Sequence, residues 1–385
     1  MRVLFFTRGW PTADNPMSGN YEAVQAKALA KKGIDVTVLN IEWKSLLHIF
    51  QLKKKCFDED GVHVYQVDGL IPIIPHLFNS QKLQSLWKRR TVIKFYKEYL
   101  QDHSTFDLIH SHSLFVFPKI LPLVEEFHIP LVITEHWSKI NEKQDTSLSD
   151  KKFAENYLLA DQVICVSRKL AESLKKKWNI DSIVINNMVE DQFFATVESR
   201  EAHSQFQFIS VGSLCKRKGF DVLIRAFARI KDQTNLRLEI IGEGEEHEHL
   251  QELICSLGLA DRIHLAGLCT SAEVGRALEK ADAYVLSSWT ETFGIVLIEA
   301  MAKGLPVVAT DCGGPDDIVD SDNGILVSPG DEEALADAMA YIKEHIKDYN
   351  KERIIRSCKE RFSQDVIADK IISVYKDVLD KKHSI

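Results

Sequence analysis

Short apolar runs of strand length alternate with longer helical stretches almost from end to end of this chain, and no other feature constrains its fold so strongly. Runs at 3–6, 36–39, 62–67, 108–110, 131–134, 162–166 and 183–185 read as strands. A polar stretch at 198–204 interrupts the series, which then restarts at 206–211, 237–241, 262–265, 283–286, 306–309 and 325–327. Strands this apolar are buried on both faces, so they form parallel sheets with helices on each side. The first predicted helix, 20–32, stops at Gly33, a residue type that readily takes the left-handed conformation at a helix end.

Two such series in 385 residues predict two α/β, Rossmann-like domains whose parallel sheets face a deep interdomain cleft. The boundaries fall at 1–198 and 199–364, with a last helical segment at 365–385. A composition of 45% hydrophobic and 27% charged residues fits a folded globular chain rather than a disordered one. No apolar run approaches the roughly 18 residues that span a bilayer, and the run at 3–6 is too short for a signal-peptide core. Seven dispersed cysteines without a C-x-x-C pair read as reduced thiols, so a cytoplasmic location is expected.

The net charge of −8 is unevenly spread. Residues 1–195 carry 25 basic and 23 acidic side chains, whereas the remainder carries 23 and 33. Within 44–97 there are ten basic and four acidic residues, interleaved with Phe50, Phe57, Leu77, Phe78, Leu86, Trp87, Phe95 and Tyr96. That pattern suits either an anionic membrane surface or a phosphate-bearing acceptor. It equally suits a pair of amphipathic helices with a solvated basic side. No nucleic-acid partner is expected.

Ligands of open α/β sheets bind beyond the carboxyl ends of the strands, which directs attention to loops that follow a strand and open a helix. The first runs from Arg8 to Asn20. There Gly19 either lets the backbone approach a ligand or simply makes a turn. The absence of G-x-G-x-x-G after the first strand argues against a nicotinamide or flavin site. The second is Gly212-Ser213-Leu214-Cys215-Lys216-Arg217-Lys218-Gly219. Lys218, just before a predicted helix at 220–231, suits a diphosphate, although the spacing is not that of a Walker A loop.

The third loop, from Trp289, turns near Gly294 into an almost wholly apolar helix. Free amides at that helix start favour phosphate oxygens. Glu291 precedes the start, on the side where a sugar would lie; otherwise it is an exposed loop acid. Glu299 lies about 7.5 Å further along the axis. A helix this apolar is buried, so Glu299 needs a partner: a ribose diol, or Lys303 at i+4. His110, His112 and His136 form a histidine-rich group without the Cys, Asp or Glu company of a metal site. Asp58-Glu59-Asp60 and Asp320-Ser321-Asp322 sit in turn-like contexts. Neither a metal nor a cofactor is expected, because Lys218 and a helix N-terminus can neutralise a diphosphate.

The chain resembles glycosyltransferase family four, a group of retaining enzymes of the GT-B fold. The most specific match is E-x(7)-E, here Glu291 to Glu299 around Phe293-Gly294-Ile295. Supporting matches are Ser18-Gly19, 109–112, Thr134-Glu135-His136, 160–167, Asn187, Ile241-Gly242-Glu243-Gly244 and Asp311-Cys312-Gly313-Gly314-Pro315. The resemblance implies that Lys218 holds the donor diphosphate, Glu299 the ribose and Glu291 the transferred sugar, with the amides of Gly294, Ile295 and Val296 placing it. It implies His112 near the reacting sugar, Gly19 facing the donor phosphate and the base near Gly267-Leu268. The final helix would cross back onto the first domain, which holds the acceptor.

One departure is Ser213, where the family usually has Arg; Arg217 is the candidate to replace that charge. The activity implied is transfer of a sugar from a nucleoside-diphosphate sugar, UDP-sugar favoured, to an acceptor hydroxyl such as a lipid-linked sugar. Bacterial polysaccharide or glycolipid synthesis is the expected setting. A sugar-nucleotide epimerase, a pyridoxal-dependent phosphorylase and a non-catalytic nucleotide-sugar-binding protein are the alternatives on the same architecture.

Overall fold

The computed structural model describes residues 1–7, 9–12, 18–45, 54–71, 81–113, 117–141, 154–194, 205–231 and 235–383. Arg8, Phe50, Leu77, Phe78 and the polar stretch 198–204 lie outside the described residues. The described residues form two sheets. The first holds β1 (Arg2–Phe6), β2 (Asp35–Ser45), β3 (Lys54–Glu59), β4 (Val62–Ile71), β5 (Leu108–His112), β6 (Leu131–Glu135), β7 (Gln162–Cys165) and β8 (Ile183–Val184). Their order is β3-β4-β2-β1-β5-β6-β7-β8, parallel throughout except for the antiparallel β3–β4 edge. The second holds β9 (Phe206–Val211), β10 (Leu236–Ile241), β11 (Ile263–Gly267), β12 (Ala283–Leu286), β13 (Val307–Thr310) and β14 (Gly324–Val327). Here the order is β11-β10-β9-β12-β13-β14, with every pair parallel.

In both sheets the first strand of the series sits in the middle, and the connection order reverses beside it. The topological switch points therefore lie between β1 and β5 and between β9 and β12. Alternate residues of β1 feed different cores. Val3 and Phe5 pack with α1 (Asn20–Lys31), and Leu4 and Phe6 pack on the opposite side, toward α2 (Gln81–Asp102) and α3 (Phe117–Phe127). β9 divides in the same way, with Phe208 and Ile209 entering different clusters. One apolar cluster is continuous from Leu4 and Phe6 to Leu297 and Ile298 and so ties the two lobes together.

After α10 (Lys351–Phe362) the chain turns at Ser363 into α11 (Gln364–His383) and leaves the second lobe. Ile367, Ala368, Ile371 and Tyr375 of α11 are fully buried among Val3, Phe5 and Leu29 of the first lobe. At about 1.5–3 kcal/mol for each large apolar side chain buried, this helix is a substantial part of the first lobe's core. Tyr375 also places its hydroxyl 2.5 Å from His110 Nδ1, while His110 Nε2 lies 2.7 Å from Thr134 Oγ1. Burial, with the neighbouring His112 and His136, holds His110 well below the ordinary histidine pKa, so the ring is neutral.

The described parts of 44–97 are not a pair of amphipathic helices. Residues 54–59 and 62–71 form the β3–β4 hairpin, turning at Asp60 and Gly61, and only α2 is helical. β3 is an edge strand with nearly every residue exposed, held by main-chain pairing rather than by burial.

Candidate active site

The loops after β9 and β12 meet at the second lobe's switch point, and glycines set how closely. Lys216–Lys218 forms a single 3₁₀ turn, and Gly219 (φ 61°) then opens α5 (Phe220–Arg229) in the left-handed conformation. A Cβ at Gly219 would lie 2.3 Å from the Ser287 carbonyl oxygen, so only glycine lets the two loops touch. The neighbouring β10 loop is as tight: a Cβ on Gly242 would fall 1.9 Å from the Gly212 carbonyl oxygen.

Within this frame Lys218 Nζ donates to Glu291 Oε1 at 2.6 Å, and Ser288 Oγ donates to the same oxygen at 2.7 Å. Arg217 donates from Nη1 to the Thr290 carbonyl at 3.0 Å and stands 3.6 Å from Glu291 Oε2. Burial alone would raise the Glu291 pKa. The Lys218 charge and hydrogen bond, joined by Arg217 and Ser288, outweigh burial and hold it below the ordinary carboxylate value. Glu291 is therefore a buried, ionised, oriented carboxylate rather than an exposed loop acid. Arg217 does point to this centre, whereas Ser213 is exposed at the surface.

Gly294 (φ 96°) caps α8 (Ile295–Ala302), and no side chain caps that helix start. Its first amides therefore keep the electropositive, unfilled N-terminus of an apolar helix. Phe293 contributes its main chain only, because its ring is buried in the core edge-on to Phe362, 5.8 Å away. The loop after β13 backs this segment: Glu291 N donates to the Cys312 carbonyl at 3.1 Å, and a Cβ on Gly314 would lie 2.3 Å from Phe293 Cα.

Glu299 lies on α8 without the expected i+4 partner. Lys303 stands past the end of the helix and turns to Glu279 of α7 (Ser271–Lys280), at 2.6 Å. Among the described residues no hydrogen bond or ion pair holds the Glu299 carboxylate. Burial, with the charge of Glu190 added, pushes it up to about 8. Glu190 is itself raised, first by burial, and lies in the segment that leaves the first lobe. Leu268, beside Gly267 (φ 74°), is exposed, and Gly242 N donates to the Gly267 carbonyl at 2.9 Å. The 267–268 turn is thus continuous with Gly242 and, through it, with Gly212.

The first lobe brings its own switch-point residues. His112 ends β5, buried, with its ring stacked on His136 at 5.6 Å. Gly19 (φ 67°) opens α1, and its close neighbour is the chain itself: a Cβ there would lie 2.1 Å from the Gly9 carbonyl oxygen. Packing and backbone conformation thus account for this glycine before any ligand does.

Three first-lobe groups that carry no sequence signature also reach the cleft. Tyr21 keeps part of its ring exposed, and its phenol pKa is raised by the loss of water around the hydroxyl and then by the charges of Glu299 and Glu291. Asn141 Nδ2 donates to the Glu291 carbonyl at 3.1 Å. Arg168 opens α4 (Arg168–Trp178) and donates its main-chain amide to Asp317 Oδ2 at 2.6 Å, with its guanidinium on the other oxygen. Among the described residues no group of three or more His, Cys, Asp or Glu could hold a metal ion, and no helix is long and apolar enough to cross a membrane.

Residues 20–193 match the family model described as Glycosyltransferase Family 4, and residues 191–361 match the one described as Glycosyl transferases group 1. The chain belongs to glycosyltransferase family four. This glycosyltransferase is 28% identical, over 356 residues covering 88% of each chain, to TuaC of Bacillus subtilis (strain 168), a glycosyltransferase named for teichuronic acid biosynthesis. Its fold matches the sucrose-phosphate synthase of Thermosynechococcus elongatus with a TM-score of 0.79 at 19% identity, over 99% of this chain and 100% of that one. It matches HepE of Anabaena, solved in complex with UDP and glucose, with a TM-score of 0.73 at 19% identity over 98% and 99% of the two chains. The glycosyltransferase therefore has the GT-B fold, two parallel-sheet lobes with the switch-point loops of each at the cleft.

Proposed function

We propose that this glycosyltransferase moves a sugar from a nucleoside-diphosphate sugar, with UDP-sugars favoured, to a hydroxyl of a sugar or lipid-linked sugar, with retention at the anomeric carbon. The observation that carries the reading is the 2.6 Å contact of Lys218 with Glu291 beside the uncapped start of α8. One cation and one helix N-terminus there adjoin a carboxylate that can accept hydroxyl hydrogen bonds.

In this reading the diphosphate takes Lys218, Arg217 and the amides of Gly294, Ile295 and Val296. Glu291 binds the transferred sugar, and the Glu299 carboxylate, without a hydrogen-bond partner among the described residues, accepts from the ribose diol. Gly212 and the 267–268 turn border the nucleoside, while Gly19 and His112 approach from the first lobe. As the bond from the anomeric carbon to the diphosphate breaks, the charge growing on the leaving oxygen is met by Lys218 and the α8 amides. The acceptor oxygen bonds to the same face of the anomeric carbon, and its proton passes to the leaving phosphate. These groups neutralise the diphosphate, so the reading includes no resident metal or cofactor.

The teichuronic acid naming of TuaC and the UDP and glucose bound by HepE support a donor of this class and a role in polysaccharide or glycoconjugate synthesis. The direct test is a thermal-shift panel of UDP-, GDP- and ADP-sugars, followed by product analysis with each donor that raises Tm. A UDP-sugar should give the largest shift and release UDP. No shift with any of them, or a new sugar epimer formed from donor alone, overturns the reading.

A further inference from the structure

Asn141 is the last described residue before 142–153, and it belongs to the first lobe, yet its side chain is spent on the second. Its Nδ2 donates to the main-chain carbonyl of Glu291 at 3.1 Å, and it lies against Gly313, where a Cβ would come within 3.1 Å of that same nitrogen. The Glu291 backbone is thus held from two sides: its amide by the Cys312 carbonyl of its own lobe, its carbonyl by Asn141 of the other. The other half of the Asn141 amide is unused. Among the described residues, Oδ1 is buried without a hydrogen-bond partner, and so is Thr290 Oγ1, one residue before Glu291. A buried carbonyl oxygen without a donor is a costly arrangement in a finished site. A sugar hydroxyl, which can donate, is the chemistry that would complete the Asn141 amide.

We infer that Asn141 is a positioning residue for the sugar subsite. Its amide nitrogen fixes the main chain of Glu291 when the lobes are together, and its free carbonyl oxygen takes a hydroxyl of the transferred sugar. This rests on the proposed donor class. It adds that the sugar half of the subsite is assembled from both lobes.

The test uses the full chain with Asn141→Ala and the isosteric Asn141→Asp. UDP affinity, the Tm without ligand and turnover of a panel of UDP-, GDP- and ADP-sugars are compared with wild type. Both variants should keep UDP affinity and Tm while kcat falls by about 10- to 100-fold at pH 8, as expected for a reacting group displaced by a fraction of an ångström to an ångström. Asn141→Asp should regain turnover as pH falls, because the protonated carboxyl donates to the Glu291 carbonyl again; Asn141→Ala should not. Wild-type kcat in both variants, or a drop in UDP affinity and Tm that matches the drop in kcat, overturns the positioning role while leaving the donor class intact. Absence of turnover and of UDP binding in the wild-type chain overturns both.

Discussion

Lys218 Nζ lies 2.6 Å from Glu291 Oε1, each delivered by a different loop at the second lobe's switch point, and both side chains are mostly buried. Removing one partner of a buried pair costs about 3–5 kcal/mol because the other charge is stranded, and Arg217 should soften the loss for Lys218→Met toward about 2 kcal/mol. Lys218→Met and Glu291→Gln should each lower kcat by about 100-fold or more, since each removes a group aimed at the reacting centre. Combining the two should restore much of the stability, measured by urea unfolding, without restoring activity. Turnover at the wild-type level in either single variant would take both residues out of the reacting centre.

Glu299 gives the site a pH dependence of its own. Its ordinary pKa is 4.5, and burial, with Glu190 adding, pushes it up to about 8 in the folded chain. Between those limits the folded state holds a proton that the unfolded state has released. The stabilisation is fully present below 4.5 and is lost as pH rises through about 8. Glu299→Gln should flatten that decline in Tm between about pH 5 and 8. A ribose diol donates two hydrogen bonds and is best met by the ionised carboxylate. UDP should therefore gain affinity for wild type, relative to Glu299→Gln, as pH rises to about 9. Parallel affinity profiles for the two proteins would separate Glu299 from the ribose.

Most strands were legible because they are short runs of buried, often β-branched or aromatic side chains, as in Val307–Thr310. β3 was not, since Lys-Lys-Cys-Phe-Asp-Glu has no apolar alternation to read; it is held by main-chain pairing with β4 and by Trp10 and Lys27 on Glu59, contacts distant in sequence. Spacing alone offered Lys303 to Glu299, but the helix ends one residue before Lys303, and the nearly buried ammonium finds Glu279 instead. Phe293 falls inside the motif, yet only its main chain belongs to the loop, because its ring completes a core with Phe362. Asn141 meets Glu291 across 150 positions of sequence, and no local pattern encodes such a contact.

The basic, aromatic 44–97 region has a definite test. Leu86 and Trp87 are exposed on α2 beside Arg90. Lys94 and Lys97 are occupied by Glu98 at 3.7 Å and Glu126 at 3.0 Å. Those pairs withdraw charge from the surface, so attachment of this helix to an anionic membrane would depend on the two apolar side chains more than on the lysines. The chain should cosediment with phosphatidylglycerol vesicles at low salt, and the double variant Leu86→Ser with Trp87→Ser should lose that binding. Each surface cation adds only about 1 kcal/mol near an anionic leaflet, so raised salt should weaken attachment as well. A wild-type chain that stays in the supernatant at low salt would end the membrane assignment.

Gly314 offers the sharpest separation of site geometry from general stability. A Cβ there would lie 2.3 Å from Phe293 Cα, 2.4 Å from its nitrogen and 2.6 Å from its carbonyl oxygen, all main-chain atoms that no side-chain rotation can move aside. Gly314→Ala must therefore push the segment from Glu291 to Gly294, and with it the α8 amides and the carboxylate held by Lys218. A displacement near 1 Å at a reacting centre costs on the order of 100-fold in rate. UDP binding should weaken too, because the α8 start moves with the segment. Gly258 is the control: it has φ 69°, and a Cβ there meets nothing within 4 Å. Gly258→Ala should cost only the left-handed backbone strain, about 1–2 kcal/mol in urea unfolding, with kcat and UDP affinity unchanged. Equal kcat in the two alanine variants would mean that the segment from Glu291 to Gly294 works without the close seat that Gly314 provides.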